Sequence, residues 1–176
     1  MRTHHCVPLH TCMQGMVIEI AKGGDLREYY SGKTEQPYTF HAALTVILGV
    51  AKGLLYMHSM PVPVVHRDIK SANVLIMSDG TTGKIGDCGE SRRIDLNSTM
   101  TQTGSPLWAA PELLSGKRYE EDIDTFSFGV LMYEIVARAY PYEQDIEAYG
   151  SKNPGHNKAV FAKKLMKEVA DGELGP

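Results

Sequence analysis

Apolar residues recur at intervals of three and four positions through residues 39–59, and this spacing predicts one long helix. Such a stripe occupies one face of the helix and is typical of a helix that packs into a core. The next segment, PVPVV, is predicted to be extended, because each proline biases the residue before it away from helix. The stripe that we expect to be buried consists of Leu44, Ile47, Leu48, Ala51, Leu54 and Leu55.

Shorter patterns predict the elements on either side of this helix. Residues 14–20 predict an apolar strand, and the turn AKGGDL that follows ends in Asp25, a residue type that caps helix N-termini. Residues 140–157 are polar and rich in glycine and proline, which predicts a surface loop. Residues 158–171 predict an amphipathic helix whose apolar side is formed by Val160, Leu165, Met166 and Val169.

Composition is that of one globular domain rather than of a disordered chain. The chain has 176 residues, of which 43% are hydrophobic and 22% charged, and a chain of this length buries about 70% of the surface that its unfolded form exposes. A net charge of −3 supplies no basic field for nucleic acid or an acidic membrane, and no apolar run is expected to form a membrane span. We therefore expect neither nucleic acid nor a membrane among its partners.

The N-terminus and the cysteines favour a cytoplasmic location. Residues 1–10 lack the apolar segment of a secretory signal peptide. Cys6, Cys12 and Cys88 form an odd and sparse set, which suits a reducing compartment better than a disulfide framework. We expect a cytoplasmic protein with free thiols.

Five potential metal ligands crowd the first twelve residues: His4, His5, Cys6, His10 and Cys12. Their spacing matches no C-x2-C or H-x3-H unit, and no second half of a zinc site follows. We expect no zinc site here.

The segment HRDIKSANVL, residues 66–75, carries the most specific chemistry in the chain. Asp68 can orient a hydroxyl group and take its proton, Lys70 can neutralise charge on a phosphoryl group, and Asn73 can hold Mg²⁺ through its side-chain oxygen. One loop therefore supplies three requirements of phosphoryl transfer. A solvated charge cluster is the alternative, but such a cluster would not need this register.

Three further motifs follow in order: DCG at residues 87–89, SPLWAAPELL at residues 105–114 and DTFSFGVLMYEI at residues 124–135. Together with the loop they resemble the signature set of protein kinases, in which the last stretch begins the buried central helix of the C-lobe. The resemblance covers nearly the whole chain. It implies an α+β, protein-kinase-like fold, mostly the helical C-lobe with a small N-lobe strand remnant.

The details of the motifs resemble one branch of that family. Lys70 and Ser105 are similar to the pattern of serine/threonine-specific members. The segments MVIEIAKGGDLREYY and HSMPVPVVHRDIKSANVL most resemble the tyrosine-kinase-like group, whose members mostly phosphorylate serine and threonine.

The resemblance implies transfer of the ATP γ-phosphate to serine or threonine hydroxyls of protein substrates, with ATP and Mg²⁺ as cofactors. It implies that Asp68, Lys70 and Asn73 are catalytic, with Asp68 acting on the substrate hydroxyl and Lys70 on the γ-phosphate. Asn73 and Asp87 would hold the magnesium ion.

The same resemblance implies where the nucleotide would bind. The backbones of Glu19 and Ala21 would meet the adenine edge, Leu75 would form part of the floor beneath it, and Ile18 would guard the pocket behind. Asp87 would belong to this site through the metal.

Supporting and regulatory residues are implied as well. His66 and Asp124 would brace the catalytic loop from behind. Arg67 would face a phosphorylated activation segment, because a phosphate group pairs well with guanidinium. The candidate phosphorylation sites are Thr99, Thr101 and Thr103.

A kinase also needs a glycine-rich loop, a strand lysine and a helix glutamate, and no GxGxxG precedes Met16. The resemblance therefore implies a partial kinase domain over residues 1–176, truncated at both ends. Residues 1–24 would hold the last N-lobe strands and the hinge, and residues 25–176 the C-lobe. A preorganised charge contact contributes about 3 kcal/mol, so we expect the chain alone to be a poor enzyme. A catalytically silent, pseudokinase-like binding module and a truncated gene product remain the alternatives.

Overall fold

A computed structural model of the chain describes residues 18–32, 39–93, 105–152 and 158–171. The helices in these ranges are α1 (Leu26–Tyr30), α2 (Phe40–His58), α3 (Pro111–Leu114), α4 (Asp122–Ala137), α5 (Glu143–Lys152) and α6 (Lys158–Ala170). The strands are β1 (Val64–Val65), β2 (Val74–Ile76), β3 (Gly83–Ile85) and β4 (Arg92–Arg93). Of two single 3₁₀ turns, Ser71–Asn73 lies within the segment HRDIKSANVL and Cys88–Glu90 begins within DCG. The mostly helical α+β fold agrees with the expectation from the sequence.

The strands form two antiparallel pairs that flank residues 66–73. β1 pairs with β4, so that Val65 faces Arg92, and β2 pairs with β3, so that Leu75 faces Lys84. β1 leads directly into the loop and β2 leads directly out of it. Both ends of the loop are therefore held by strand pairing.

α2 begins and ends where the sequence predicts, but its buried face differs. Thr39 caps the helix by accepting a hydrogen bond from the Ala42 backbone N–H at 3.1 Å. The prediction was wrong for Leu44, Leu48 and Leu55, which are exposed. α2 meets β3 at Gly49, where an added Cβ atom would lie only 2.3 Å from the Gly83 carbonyl oxygen. This close approach selects the buried side, formed by Ala42, Ala43, Val46, Val50 and Leu54.

α2 also corrects the expectation about membrane-spanning runs. By length and composition alone it is long and apolar enough to cross a bilayer, the one such helix in the described ranges. Core helices meet the same criterion. One face of α2 shares a core cluster with Leu131 and Ile135 of α4, whereas large apolar side chains on the rest of the helix are exposed.

The surface loop predicted for residues 140–157 is wrong for its central part, which forms α5. Acidic residues in the first turn, Glu143 and Asp145, and Lys152 in the last turn complement the helix dipole. The Tyr149 ring stacks on Phe161 of α6, with 3.9 Å between ring centroids. A polar helix is stabilised here by its termini and by one face that packs on α6.

The remaining predicted elements have mixed outcomes. Asp25 caps α1, accepting a hydrogen bond from the Glu28 backbone N–H at 2.9 Å, as predicted. α6 is present, with Leu165 and Met166 buried. Residues 18–20 belong to no strand, whereas residues 14–17 and the N-terminal histidines and cysteines lie outside the described residues.

α4 is buried on one side only, because Met132, Tyr133 and Val136 are exposed.

Candidate active site

A buried carboxylate anchors the catalytic-loop segment from behind. Asp124, in the first turn of α4, accepts hydrogen bonds from the backbone N–H groups of His66 at 2.7 Å and Arg67 at 2.8 Å. His58 Nε2, at the end of α2, lies 2.9 Å from Asp124 Oδ2. Because Asp124 is fully buried, water does not compete for these bonds. The expectation that Asp124 braces the loop is confirmed.

His66 holds the loop against the segment that carries DCG. Its side chain is fully buried, and Nε2 lies 3.0 Å from the carbonyl oxygen of Gly86. This contact ties the catalytic-loop segment to Gly86, the residue directly before DCG. The bracing role expected of His66 is therefore confirmed.

Arg67 adopts a left-handed backbone conformation, with φ of 69°. For a residue other than glycine this costs about 1–3 kcal/mol and persists only where the surroundings enforce it. The Arg67 side chain donates from Nε to the Glu90 carbonyl at 2.5 Å and from Nη1 to Tyr119 Oη at 3.3 Å. The threonines that Arg67 was expected to face lie outside the described residues.

The three residues predicted to be catalytic meet at one carboxylate. Asp68 Oδ2 accepts hydrogen bonds from Lys70 Nζ at 2.6 Å and from Asn73 Nδ2 at 2.8 Å. Lys70 Nζ also donates to Ser105 Oγ at 2.7 Å. The other carboxylate oxygen, Asp68 Oδ1, is buried and accepts no hydrogen bond from the described residues. One oxygen of Asp68 is thus fixed by Lys70 and Asn73, whereas the other lacks a hydrogen-bond donor among the described residues.

The protonation of Asp68 follows from the same contacts. Burial alone would raise its pKa, but the hydrogen bonds of Lys70 and Ser105, the positive charge of Lys70 and the Asn73 hydrogen bond lower the pKa of Asp68 below its usual value. Asp68 is therefore ionised at neutral pH and can accept a hydrogen bond from a hydroxyl group.

The two predicted metal ligands lie on neighbouring segments. The Gly86 backbone N–H donates to the Asn73 carbonyl at 2.8 Å, which ties the residue before Asp87 to Asn73. Asp87 is exposed and has φ of 51°. The Asn73 amide nitrogen faces Asp68, so its oxygen points the other way. An amide and a carboxylate oxygen are hard ligands of the kind that Mg²⁺ prefers, so these residues fit the ion. Within the described ranges no group of three or more His, Cys, Asp and Glu side chains could hold a metal.

The residues predicted to contact adenine lie near the paired strands β2 and β3. The backbone of Gly23 donates to the Ile76 carbonyl, and Ile76 donates to Gly24, both at 2.9 Å. These bonds place residues 21–25 beside Leu75 of β2. Glu19 Oε2 lies 2.5 Å from Lys84 Nζ, the residue opposite Leu75. Glu19, Ala21 and Leu75 therefore belong to one region of the structure.

Sequence reasoning missed Glu134, a fully buried carboxylate of α4. Its Oε1 accepts hydrogen bonds from Tyr30 Oη at 2.5 Å and Ser71 Oγ at 2.6 Å, and its Oε2 accepts one from Trp108 Nε1 at 2.9 Å. Glu134 thus joins the catalytic loop at Ser71 to the SPLW segment at Trp108. The one available signal was an acidic residue inside the otherwise apolar run GVLMYEIVA.

Comparison with known proteins agrees with this geometry. Residues 6–171 match the sequence model of the protein kinase domain. The "probable LIM domain-containing serine/threonine-protein kinase" of Dictyostelium discoideum is 40% identical over 128 residues, which cover 72% of this chain and 19% of the relative. Mitogen-activated protein kinase kinase kinase 7 is 35% identical over 136 residues in Drosophila melanogaster (76% of this chain, 20% of the relative). The human protein of that name is 37% identical over 132 residues (73% of this chain, 22% of the relative).

The chain spans about a fifth of the length of these three relatives. The match to the kinase domain nevertheless includes the catalytic loop, the DCG segment and all six helices of the described ranges. The chain belongs to the protein kinase domain family.

Proposed function

We propose that this domain transfers the γ-phosphoryl group of ATP to serine or threonine hydroxyls of protein substrates. One observation supports the proposal most: Asp68 Oδ1 is buried without a hydrogen-bond donor from the described residues. An unpaired buried acceptor is unfavourable, and a substrate hydroxyl would pair it. The relatives named as serine/threonine-protein kinases point the same way.

In the proposed reaction a bond forms between the substrate oxygen and the γ-phosphorus, while the bond from that phosphorus to the bridging oxygen of ADP breaks. The hydroxyl proton passes to Asp68 Oδ1. Asp68 acts mainly by orienting the hydroxyl, because the transition state is loose. The Lys70 ammonium group, fixed between Asp68 and Ser105, supplies positive charge beside the transferred group.

Protein kinase domains use ATP with magnesium, which neutralises charge on the phosphates when bound. Here Asn73 and Asp87 would hold the ion. The backbones of Glu19 and Ala21 would meet adenine, with Leu75 beneath it. Each of these assignments belongs to the proposal.

The proposal extends to the subgroup and to the compartment. We place the domain in the tyrosine-kinase-like group, on the segments around residues 16–30 and 58–75. We also place it in the cytoplasm, where the exposed free thiol of Cys88 would stay reduced.

The test is phosphoryl transfer from radiolabelled ATP, with magnesium, to serine, threonine and tyrosine peptides. It uses the chain alone and the chain joined to the nucleotide-binding lobe of a relative. Asp68→Asn should lower turnover at least about 100-fold and leave nucleotide affinity unchanged, because Asp68 acts on the hydroxyl. Asp171→Asn, the same change at an exposed position, is the matched control.

Equal turnover by Asp68→Asn and the unaltered protein would refute the assignment. Transfer to tyrosine alone would refute the substrate class. A fusion that binds ATP without transferring phosphate would favour the catalytically silent binding module.

A further inference from the structure

Tyr30, the last residue of α1, is connected to the catalytic loop through Glu134. The phenol Oη of Tyr30 donates a hydrogen bond to Glu134 Oε1 at 2.5 Å, and Ser71 Oγ donates to the same oxygen at 2.6 Å. Because Glu134 and Ser71 are both buried, water competes weakly for these bonds. A single carboxylate oxygen therefore fixes the end of α1 and a residue of the loop relative to each other.

Ser71 occupies a position in the loop that affects the proposed chemistry. It directly follows Lys70 and begins the 3₁₀ turn Ser71–Asn73. Lys70 and Asn73, which lie at the two ends of this short stretch, both donate to Asp68 Oδ2. A displacement of Ser71 would therefore move both donors that fix the Asp68 carboxylate.

α1 is also tied to the far end of the same loop. β2 leads out of the loop, and Ile76 of β2 exchanges backbone hydrogen bonds with Gly23 and Gly24, both at 2.9 Å. The next residue, Asp25, caps α1, and α1 ends at Tyr30. The path that leaves the loop along β2 and α1 thus returns to the loop through the Tyr30 hydroxyl. A loop held in this way at two points is preorganised, which is what orientation of a reacting group requires.

The third donor to Glu134 provides a way to observe this arrangement. Trp108 Nε1–H donates to Glu134 Oε2 at 2.9 Å, and the chain has one tryptophan. Its indole N–H therefore gives a single signal in a nitrogen–proton NMR spectrum, and the position of that signal depends on the hydrogen bond to Glu134. A change at Glu134 Oε1 should be visible at Trp108.

We propose that Tyr30 is a positioning residue for phosphoryl transfer: its hydroxyl, acting through Glu134, holds Ser71 and with it the Asp68 carboxylate in place. Tyr30 itself touches neither the phosphoacceptor nor the nucleotide in this role. The inference rests on the proposed function, because Asp68 is the residue proposed to orient the substrate hydroxyl.

Two neighbouring tyrosines of α1 supply the variant and its matched control. Tyr30→Phe removes the hydroxyl that binds Glu134 and keeps the aromatic ring. Tyr29→Phe removes a hydroxyl that donates to the Gly80 carbonyl at 2.7 Å, in the turn between β2 and β3. Each variant loses a phenol hydrogen bond, so a general loss of stability would affect both, whereas a loss of positioning should be confined to Tyr30→Phe.

The first measurement uses NMR on the full chain and requires no activity. Tyr30→Phe should shift the Trp108 indole N–H signal and the backbone signals of Asp68 and Ser71 by more than Tyr29→Phe does. Ser71→Ala should shift the same Trp108 signal, because Ser71 and Tyr30 share Glu134 Oε1. Shifts from Tyr30→Phe no larger than those from Tyr29→Phe would overturn the inference, whether or not the protein transfers phosphate.

The second measurement is steady-state kinetics on the chain joined to the nucleotide-binding lobe of a relative. Tyr30→Phe should lower kcat about tenfold and leave the KM for ATP within about twofold, because its hydroxyl acts on the loop and not on the nucleotide. Tyr29→Phe should leave kcat within about twofold.

The possible kinetic results separate this inference from the proposed function. A Tyr30→Phe fusion as active as the unaltered fusion, or a loss of kcat shared equally by Tyr29→Phe, would overturn the inference. An unaltered fusion that transfers no phosphate would instead contradict the proposed function, and the NMR comparison alone would then decide whether Tyr30 positions the loop.

Discussion

We predict from the hydrogen bonds of Glu134 how much its replacement would lower the free energy of unfolding. Its carboxylate accepts three donors, from Tyr30, Ser71 and Trp108, and is fully buried. Burial, followed by the hydrogen bond and negative charge of Glu134, raises the pKa of Tyr30 above its usual value, so the phenol remains a donor at neutral pH. Replacing Glu134 with Gln keeps the size and shape of the side chain but removes its negative charge and one of its two acceptor oxygens.

The magnitude follows from counting donors. The Gln amide has one acceptor oxygen, so one of the three donors would face its NH₂ group and stay unpaired, at about 1–3 kcal/mol. The two remaining bonds lose their charge assistance, about 1 kcal/mol each. The relief of burying a charge offsets part of this cost. We expect Glu134→Gln to lower the free energy of unfolding by about 2–4 kcal/mol.

Urea unfolding followed by tryptophan fluorescence measures this change, because the chain has one tryptophan and Trp108 is itself a donor to Glu134. Glu120→Gln, at an exposed position, is the matched control and should change stability by less than about 0.5 kcal/mol. A change below about 1 kcal/mol for Glu134→Gln, or one equal to the control, would refute the reasoning.

Two further predictions concern packing and pH. Gly49→Ala should destabilise the chain by about 1–3 kcal/mol in urea unfolding, because the new Cβ would lie 2.3 Å from a backbone oxygen of β3. In the control Gly129→Ala in α4, the new Cβ would have no neighbour within 4 Å, so this variant should be neutral or stabilised by up to about 1 kcal/mol. The Thr82 hydroxyl and the backbone N–H groups of Thr82 and Thr81 lower the pKa of Asp79 to about 2, so the stability that this turn contributes should be complete above pH 3.8 and be lost as pH falls through 2. An NMR titration of the folded chain measures this pKa, and a midpoint near 3.8 would contradict the prediction. Thr82→Val should move the midpoint toward 3.8.

Helix ends could be predicted from the sequence because their signals are local. Thr39 and Asp25 both cap the helices that they were expected to start. The buried face of α2 could not be predicted, because apolar residues surround that helix and periodicity alone selects no side. The informative residue was Gly49, whose missing side chain lets the helix meet β3.

α5 escaped prediction for the opposite reason. Its residues are mostly polar, so the pattern resembles a loop, and its stability depends on a contact with α6 that is distant along the chain. Tyr149 and Phe161, which stack in the structure, are twelve positions apart.

The active site shows the same division between motif and support. Asp68, Lys70 and Asn73 stand in one short motif, and they meet as predicted because that motif is a single loop. The position of the loop itself depends on α4, where Asp124 holds the backbone at one end and Glu134 holds Ser71 toward the other.

These two carboxylates are ten positions apart on α4 and are both fully buried. A buried carboxylate is stable only when donors surround it, and here the donors come from the catalytic loop, α1, α2 and the SPLW segment. Replacing either carboxylate should therefore shift Asp68, Lys70 and Asn73, to which neither is hydrogen-bonded. The residues proposed to perform the chemistry are visible as a sequence pattern, whereas the residues that position them become visible only when the chain is folded.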